Sequence, residues 1–291
     1  MSTNKIVITT DCVCDLPEEY LKSSDVDVIY FYISTAKGRF RDRSEISSEN
    51  VLDYLENIGG KATSEAPTVE DYISFFRENI VKGDELIHIT ISSVISCSYE
   101  NAVKATELMG DAGKNIHVID SRHLSTSIGI LTIKAVELRN EGLECSEICD
   151  ALYELIPNIS TTFIVNTTDY LYQNERISKT VNTICKLFKA HPVLVMKDGD
   201  ISLKNIRFGN YEKAYVRYIN SELRNISKIN RKRIFITYSG LSKKETDSIK
   251  KHVEECGCFT EIITNKSSAT ISCNCGPKSF GILFTKYYEP E

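Results

Sequence analysis

The chain has 291 residues, 42% apolar and 26% charged, with a formal net charge of −5. This composition excludes a disordered chain, and the length allows one large domain or two medium ones that bury a core without covalent staples. The negative balance argues against a general nucleic-acid binder, and no run approaches the roughly 18 consecutive apolar residues of a membrane span, so no integral membrane association is expected.

In chain order, the opening "MSTNKIVITTDC" reads as the head of a strand. It has neither an apolar h-region nor a small-residue cleavage site, so a cytoplasmic protein is expected. There the ten cysteines would be held mainly as thiols. "KIVITT" leads into "DCVCDLPEEYLKSS". "GRFRDR" (Arg39, Arg41, Arg43) follows and reads as a solvated edge, with docking to an acidic partner as the alternative. "KATSEAPTVEDYISFF" places Thr63 and Ser64 before a helix starting near Thr68.

"ELIHITIS" leads into "SVISCSYENAVKATELMG", where Ala102, Ala105, Leu108 and Met109 recur at helical spacing. "NIHVID" leads into "SRHLSTSIGILTIKAVELRNEG". Pro157 in "LIPNIS" interrupts that pattern, and "TTFIVNTT" opens a second series. Later "RIFITYSG" precedes "LSKKETDSIKKHVEECG" and the strand-like "CFTEIIT"; the basic "NRKRIF" (Arg231, Lys232, Arg233) is read as a second solvated edge. Short apolar runs alternating with helical periods predict α/β architecture with two domains, 1–157 and 158–291, and largely parallel sheets. Gly110, Gly142 and Gly257 fall where helices should end in a left-handed residue.

In such domains ligands bind beyond the carboxyl ends of the strands, which directs attention to the Ser/Thr loops. "ISSVISCSYENA" sets Ser92, Ser93, Ser96 and Ser98 between a buried strand and a helix beginning near Ser98. Unpaired N–H groups at a helix start suit a carboxylate or phosphate; N-capping alone is the alternative reading. Arg176 in "YQNERIS" and Arg207 in "LKNIRFGN" could each pair with an anion, and each reads equally well as a surface arginine.

Ser96, His123 and Asp120 supply the residue types of a nucleophilic triad, but spacing does not establish one and no G-x-S-x-G elbow is present. The dinucleotide fingerprint and the P-loop are also absent, so nucleotide use is not expected. The five histidines show no H-x-H or H-E-x-x-H spacing. Three C-x-C pairs occur, at Cys12/Cys14, Cys256/Cys258 and Cys273/Cys275, whereas structural zinc favours C-x₂₋₄-C. Ordinary burial explains Cys256 at a helix end and Cys258 at a strand start. No catalytic residue and no metal ligand is assigned.

Seven of these loops, in this order, resemble the DegV family of bacterial fatty-acid-binding proteins. "TTDCVCDLP" is similar to the family's T-D-S-x-x-D-L-P, "ATSEAPT" to T-S-Q-P, and "ISSVISCSYENA" to S-S-x-L-S-G-T-Y-x-x-A. "HVIDSRHLSTSIG" matches the D-S loop, "LYQNERIS" the G-G-R-I-S motif, and "HPVLVMKDGDISLKNIR" the K-P-I-L…G…R segment. "NCGPKSFGILF" matches H-T-G-P-G-x-x-G-x-x-F. The resemblance implies two α/β domains of the DegV type with a lipid-binding cleft formed by the second with the first. It implies a carrier in phospholipid synthesis rather than an enzyme. A long-chain fatty acid would be the bound ligand, with no cofactor, and its carboxylate would be presented to a separate fatty acid kinase.

Carried over by position, the ligand-binding candidates are Thr63, Ser64, Ser96, Ser98, Arg176, Arg207, Asn274, Cys275 and Cys12. The sequence departs from the pattern at Cys12, at Cys97 between Ser96 and Ser98, at Asn174–Glu175 before Arg176, at Glu65, and at Asn274 and Cys275 for His and Thr. These departures keep two alternatives open. One is a module for another small amphiphile or anion, and the other is a thiol or metal site built from Cys12, Cys97 and Cys275.

Overall fold

The structure is a computed structural model that describes residues 5–257 and 259–287. In chain order its elements begin with β1 (Ile6–Asp11), α1 (Glu18–Ser23), β2 (Val26–Ile29), β3 (Tyr32–Thr35), β4 (Gly38–Arg41), α2 (Ser48–Asp53) and β5 (Thr63–Glu65). Next come α3 (Val69–Ile80), β6 (Glu85–Thr90), α4 (Ser98–Leu108), β7 (Ile116–Asp120), α5 (Thr126–Glu141) and α6 (Cys145–Leu155). The remainder holds β8 (Ile159–Ile164), α7 (Asp169–Gln173), α8 (Lys179–Phe188), β9 (His191–Lys197), β10 (Asp200–Arg207), α9 (Tyr211–Glu222), β11 (Ile229–Ser239), α10 (Lys243–Cys256), β12 (Glu261–Lys266), α11 (Ala269–Cys275) and β13 (Ser279–Lys286).

The fold is α/β, in two compact units that interleave along the chain. Unit 1 takes residues up to Tyr32, Glu65–Pro157 and Asp198–Asp200; unit 2 takes Ile33–Ser64, Asn158–Lys197 and the chain from Ile201 onward. Residues 33–64 thus belong to unit 2, across the chain position of a cut after Pro157. Their apolar side chains, Ile33, Ile46, Val51 and Leu52, pack with Ala269 and Cys273 of α11. Long-range packing of this kind leaves no mark on local periodicity.

Unit 1 is built on a sheet of order β2-β1-β6-β7, parallel throughout. Every residue of β1 is buried, as expected for a strand covered on both faces. Val7, Leu86 and Ile116 are register neighbours and share one face with Tyr72 and Phe76 of α3 and Ala102 and Ala105 of α4. The alternate residues Ile8, Ile87 and His117 are likewise in register and point to the opposite face, where α5 and α6 lie. Buried strand hydroxyls are satisfied across the sheet: Thr9 Oγ1 meets His88 Nδ1 at 2.9 Å, and Thr10 Oγ1 donates to the Ile89 carbonyl at 2.8 Å.

Unit 2 holds a sheet of order β10-β9-β8-β13-β11-β12 and a small sheet β4-β3-β5. The α/β class expected from the sequence holds, with one parallel sheet in unit 1 and a larger, mixed sheet here. β11 and β12 are parallel, whereas the pairs β11–β13, β13–β8 and β8–β9 are antiparallel. A short buried apolar run has the same pattern in either direction, so direction was not readable from periodicity.

The core gathers Ile164, Val193, Ile234, Ile236, Phe280, Ile282 and Phe284 from the strands with Tyr218, Ile219, Ile249 and Val253 from α9 and α10. In the small sheet β4, which carries Arg39 and Arg41, is largely exposed, consistent with a solvated edge. Gly142 closes α5 in the left-handed region at φ 88°, and Gly110 follows α4 at φ 61°. Gly257 does not do this. It is extended at φ −156°, and packing demands its lack of a side chain, because a Cβ there would lie 2.7 Å from the Phe259 ring.

Tyr218 is fully buried and is the polar tie of the unit 2 core. Its hydroxyl donates to the Thr162 carbonyl at 2.8 Å and accepts from the Ile282 N–H at 3.0 Å. Tyr218→Phe leaves both backbone groups without that partner, so a loss of about 1–3 kcal/mol is expected. A lowered midpoint at unchanged slope in urea unfolding would show it.

Candidate functional site

The carboxyl edge of the unit 1 sheet is organised by Asp11, the last residue of β1, which is wholly buried. Its Oδ2 accepts from the Ser98 hydroxyl at 2.6 Å and the Ile91 N–H at 2.8 Å, and its Oδ1 accepts from the Tyr72 hydroxyl at 2.7 Å. Tyr72 and Ser98 also meet each other at 2.6 Å. Burial, and then the negative charge of Asp11, push the Tyr72 phenol well above its ordinary pKa, so it stays protonated. A buried carboxylate needs such donors.

Ser98 thus serves the framework under the loop. It is the first residue of α4 and is fully buried. Ser96 is half-buried and accepts from the Ser98 N–H at 3.2 Å, whereas the N-cap position itself, Cys97, makes no side-chain capping bond. Cys12 is fully buried, with the Phe31 N–H pointing at its sulfur at 3.2 Å. Cys97 is exposed.

The triad residue types do not assemble as one. His123 Nε2 is 3.0 Å from the Ile156 carbonyl, and burial lowers the pKa of its ring, consistent with a neutral imidazole donating there. Asp120 accepts from the Ser93 hydroxyl at 2.5 Å and from the backbone N–H groups of Ser93 and Arg122 at 3.1 and 3.0 Å. Ser92 donates to the Gly199 carbonyl at 2.6 Å.

In unit 2 three of the carried-over candidates come together around α11. Asn274 Nδ2 donates to the Thr270 carbonyl at 2.8 Å and to the Ser64 hydroxyl at 3.1 Å. Its Oδ1 accepts from Arg176 Nε at 3.5 Å, a long bond. The Asn174 amide donates to the Cys273 carbonyl at 3.2 Å, which ties the loop before Arg176 to the same helix. Thr63 is exposed and Cys275 half-buried. Cys273 is fully buried, and burial pushes its thiol up to about 12.

Arg207 ends β10 apart from these contacts. Its Nε is buried without a hydrogen-bond partner among the described residues. An unpaired buried guanidinium N–H is costly, and an anion would relieve it.

The turn after α11 depends on Gly276. At φ 72°, ψ −177° it occupies a region reserved almost wholly for glycine, and a Cβ would collide with the Tyr170 ring. Its carbonyl accepts from the Ser239 hydroxyl at 2.9 Å. The helix begins on Asp42, which is buried and accepts from the N–H groups of Ala269 and Thr270 at 2.9 and 2.8 Å.

Tyr72, Asp42 and Tyr170 were not among the sequence candidates. Asp42 carried no signal beyond its place in a basic run, and Tyr72 looked like any apolar-face residue of a helix. Cys258 lies outside the described residues. Among the described residues, the grouping of metal-capable side chains is His117, Cys145 and Cys149, which uses none of the C-x-C cysteines.

Comparison with known proteins places this geometry in a family. Residues 5–287 match the model described as "Uncharacterised protein, DegV family". A DegV domain-containing protein of Staphylococcus aureus (strain N315) is 29% identical over 283 residues, covering 97% of this chain and 99% of its own. The structure titled "Fatty Acid Binding of a DegV family Protein from Thermus thermophilus" superposes with a TM-score of 0.87 at 24% identity, covering 97% of this chain and 99% of that one. A DegV family protein from Eubacterium eligens, described as loaded with heptadecanoic acid, gives 0.85 at 18% identity, with 97% and 99% covered. At these identities the two superpositions establish the fold.

Two substitutions test the geometry. Asp11→Asn leaves one acceptor oxygen for three donors, and hydrogen bonds to a charged group are worth roughly 1.5–3 kcal/mol, so a loss of about 2–3 kcal/mol is expected in denaturant unfolding. Gly276→Ala strains the backbone and displaces Tyr170, for an expected loss of about 1–3 kcal/mol by the same measurement.

Proposed function

The chain belongs to the DegV family, and from that premise we propose that it binds a long-chain fatty acid and holds the carboxylate by hydrogen bonds rather than transforming it. The observation that carries this reading is the cluster of Ser64, Asn274 and Arg176. An amide, a hydroxyl and a guanidinium from three separated segments meet there; the hydroxyl and the guanidinium are the groups that can donate to a carboxylate, while both amide hydrogens of Asn274 go to Thr270 and Ser64. Asn274 replaces the histidine of the family pattern and carries no charge at any physiological pH; its amide braces Ser64 and Arg176.

Arg207 adds a second cation with a buried unpartnered N–H. Ser96 and Thr63 are the further head-group candidates carried over from the family. The affinity itself would come from the acyl chain, since each buried methylene contributes roughly 0.8 kcal/mol.

The reading extends to a carrier that presents the carboxylate to a separate fatty acid kinase, because the chain has no recognisable nucleotide cradle of its own. In that arrangement acyl phosphate forms only when kinase and ATP are added.

Denaturing extraction of the purified protein followed by mass spectrometry is expected to release a long-chain fatty acid. Delipidated protein should rebind it; Arg207→Ala should weaken binding by about tenfold or more, the equivalent of one lost hydrogen bond to a charged group, and Asn274→Ala should weaken it by releasing Ser64 and Arg176. Ser96→Ala, measured separately, reports on the unit 1 loop. Recovery of a different amphiphile, or no rebinding of any long-chain acid, would overturn the proposal.

A further inference from the structure

A second cluster of chemically active side chains lies at the other end of the unit 1 sheet, outside the residues discussed for lipid binding. Glu85 opens β6, and His117 is the second residue of β7. Ile87 and His117 are register neighbours, so Glu85, two residues before Ile87, points to the same sheet face as His117. On that face lies α6, with Cys145 at its first position and Cys149 one turn later. Residues four apart on a helix project together.

The two sulfurs and a ring nitrogen of His117 all lie within 4.8 Å of one another. His117 Nε2 is 3.5 Å from Glu85 Oε1. Both cysteines are buried, whereas the side chains of His117 and Glu85 are 37% and 26% exposed. The cluster therefore has a thiol floor and a solvent-facing rim.

We propose that Cys145, Cys149 and His117, with Glu85 as fourth donor, form a binding site for a thiophilic divalent cation of the zinc type. Two sulfurs, one imidazole and one carboxylate are a borderline-soft donor set that suits zinc over magnesium or calcium. With metal–sulfur bonds of about 2.3 Å and metal–nitrogen bonds of about 2.0 Å, tetrahedral ligand atoms stand roughly 3.5–3.8 Å apart. Closing the cluster onto an ion thus takes side-chain movements of about 1 Å, within the reach of χ adjustments at the exposed rim.

The helix position helps. The start of α6 carries a partial positive charge, which favours thiolate over thiol. Loading exchanges the two thiol protons, released to buffer, for one divalent cation and two metal–sulfur bonds. No oxidation is involved.

The site lies at the amino ends of β6 and β7, whereas the Asp11 and Ser98 network lies at the carboxyl ends. A bound ion would tie α6 to two strands, which is a stabilising role independent of lipid head-group chemistry.

The test is titration of the reduced full-length protein with Co2+ followed by Zn2+. One equivalent of Co2+ is expected to produce thiolate-to-cobalt charge-transfer absorption with tetrahedral d–d bands, and Zn2+ should abolish both. Cys145→Ser/Cys149→Ser should remove the band and Cys256→Ser should leave it, with circular dichroism confirming the fold of each. His117→Ala should weaken binding by about tenfold or more, since loss even of an outer-shell partner costs 10–100-fold. If the double cysteine variant fails to fold, His117→Ala and Glu85→Gln, both at the rim, decide the question. Absence of the band at one equivalent, its survival in the folded double variant, or unchanged affinity in both rim variants would overturn the proposal.

Discussion

A carboxylate removed from water must find its donors inside the protein, and Asp11 imposes that constraint on unit 1. It sits at the end of a strand whose every residue is buried and draws to itself the Tyr72 hydroxyl from α3, the Ser98 hydroxyl from the start of α4 and the Ile91 N–H after β6. These contacts decide where the serine loop begins and which of its hydroxyls stay available. Ser98 is consumed below, so Ser96 is left as the half-buried hydroxyl at the helix start. Burial, and then this charge, hold Tyr72 in its protonated, donating form.

Unit 2 solves the same problem with a second buried carboxylate. Asp42 accepts from the first N–H groups of α11 and thereby sets the helix whose far end carries Asn274 and Gly276. Burial pushes the Asp42 carboxyl above the ordinary carboxylate range, and its hydrogen bonds to Thr270 and Ala269 counter that shift. Asn274 can reach Ser64 and Arg176 because α11 is fixed at this end and because the turn that follows has a glycine against Tyr170. The cluster of Ser64, Asn274 and Arg176 is therefore positioned by Asp42, Gly276 and Tyr170, which lie outside it.

The motif order was legible because each loop keeps backbone-determining residues: the Asp ending β1, the Thr68 and Ser98 helix starts, and the Gly276–Pro277 turn. Helix starts could be read to within a residue from their capping chemistry, as at Thr68, whose hydroxyl accepts from the Asp71 N–H while Asp71 returns the bond. Strand direction in unit 2 was hidden, since a run such as "FGILF" fits a parallel or an antiparallel neighbour equally. The transfer of residues 33–64 to unit 2 was hidden for a related reason. Only the packing of Ile33, Val51 and Leu52 on Ala269 and Cys273, more than 200 positions distant in the chain, assigns them.

The cysteines divide the same way. Spacing drew attention to C-x-C pairs, yet Cys12, Cys14 and Cys273 are buried as small apolar groups. Cys145 and Cys149 attracted no notice, since i and i+4 on an amphipathic helix is also the spacing of two core residues. By itself the sequence determined the α/β class and the family, because caps, turns and apolar periods are local properties. Tertiary structure alone decided which side chains meet. Ser98 goes to Asp11, Asn274 joins Ser64 to Arg176, and His117 faces two thiols, because these contacts depend on register and helix placement set by the whole core.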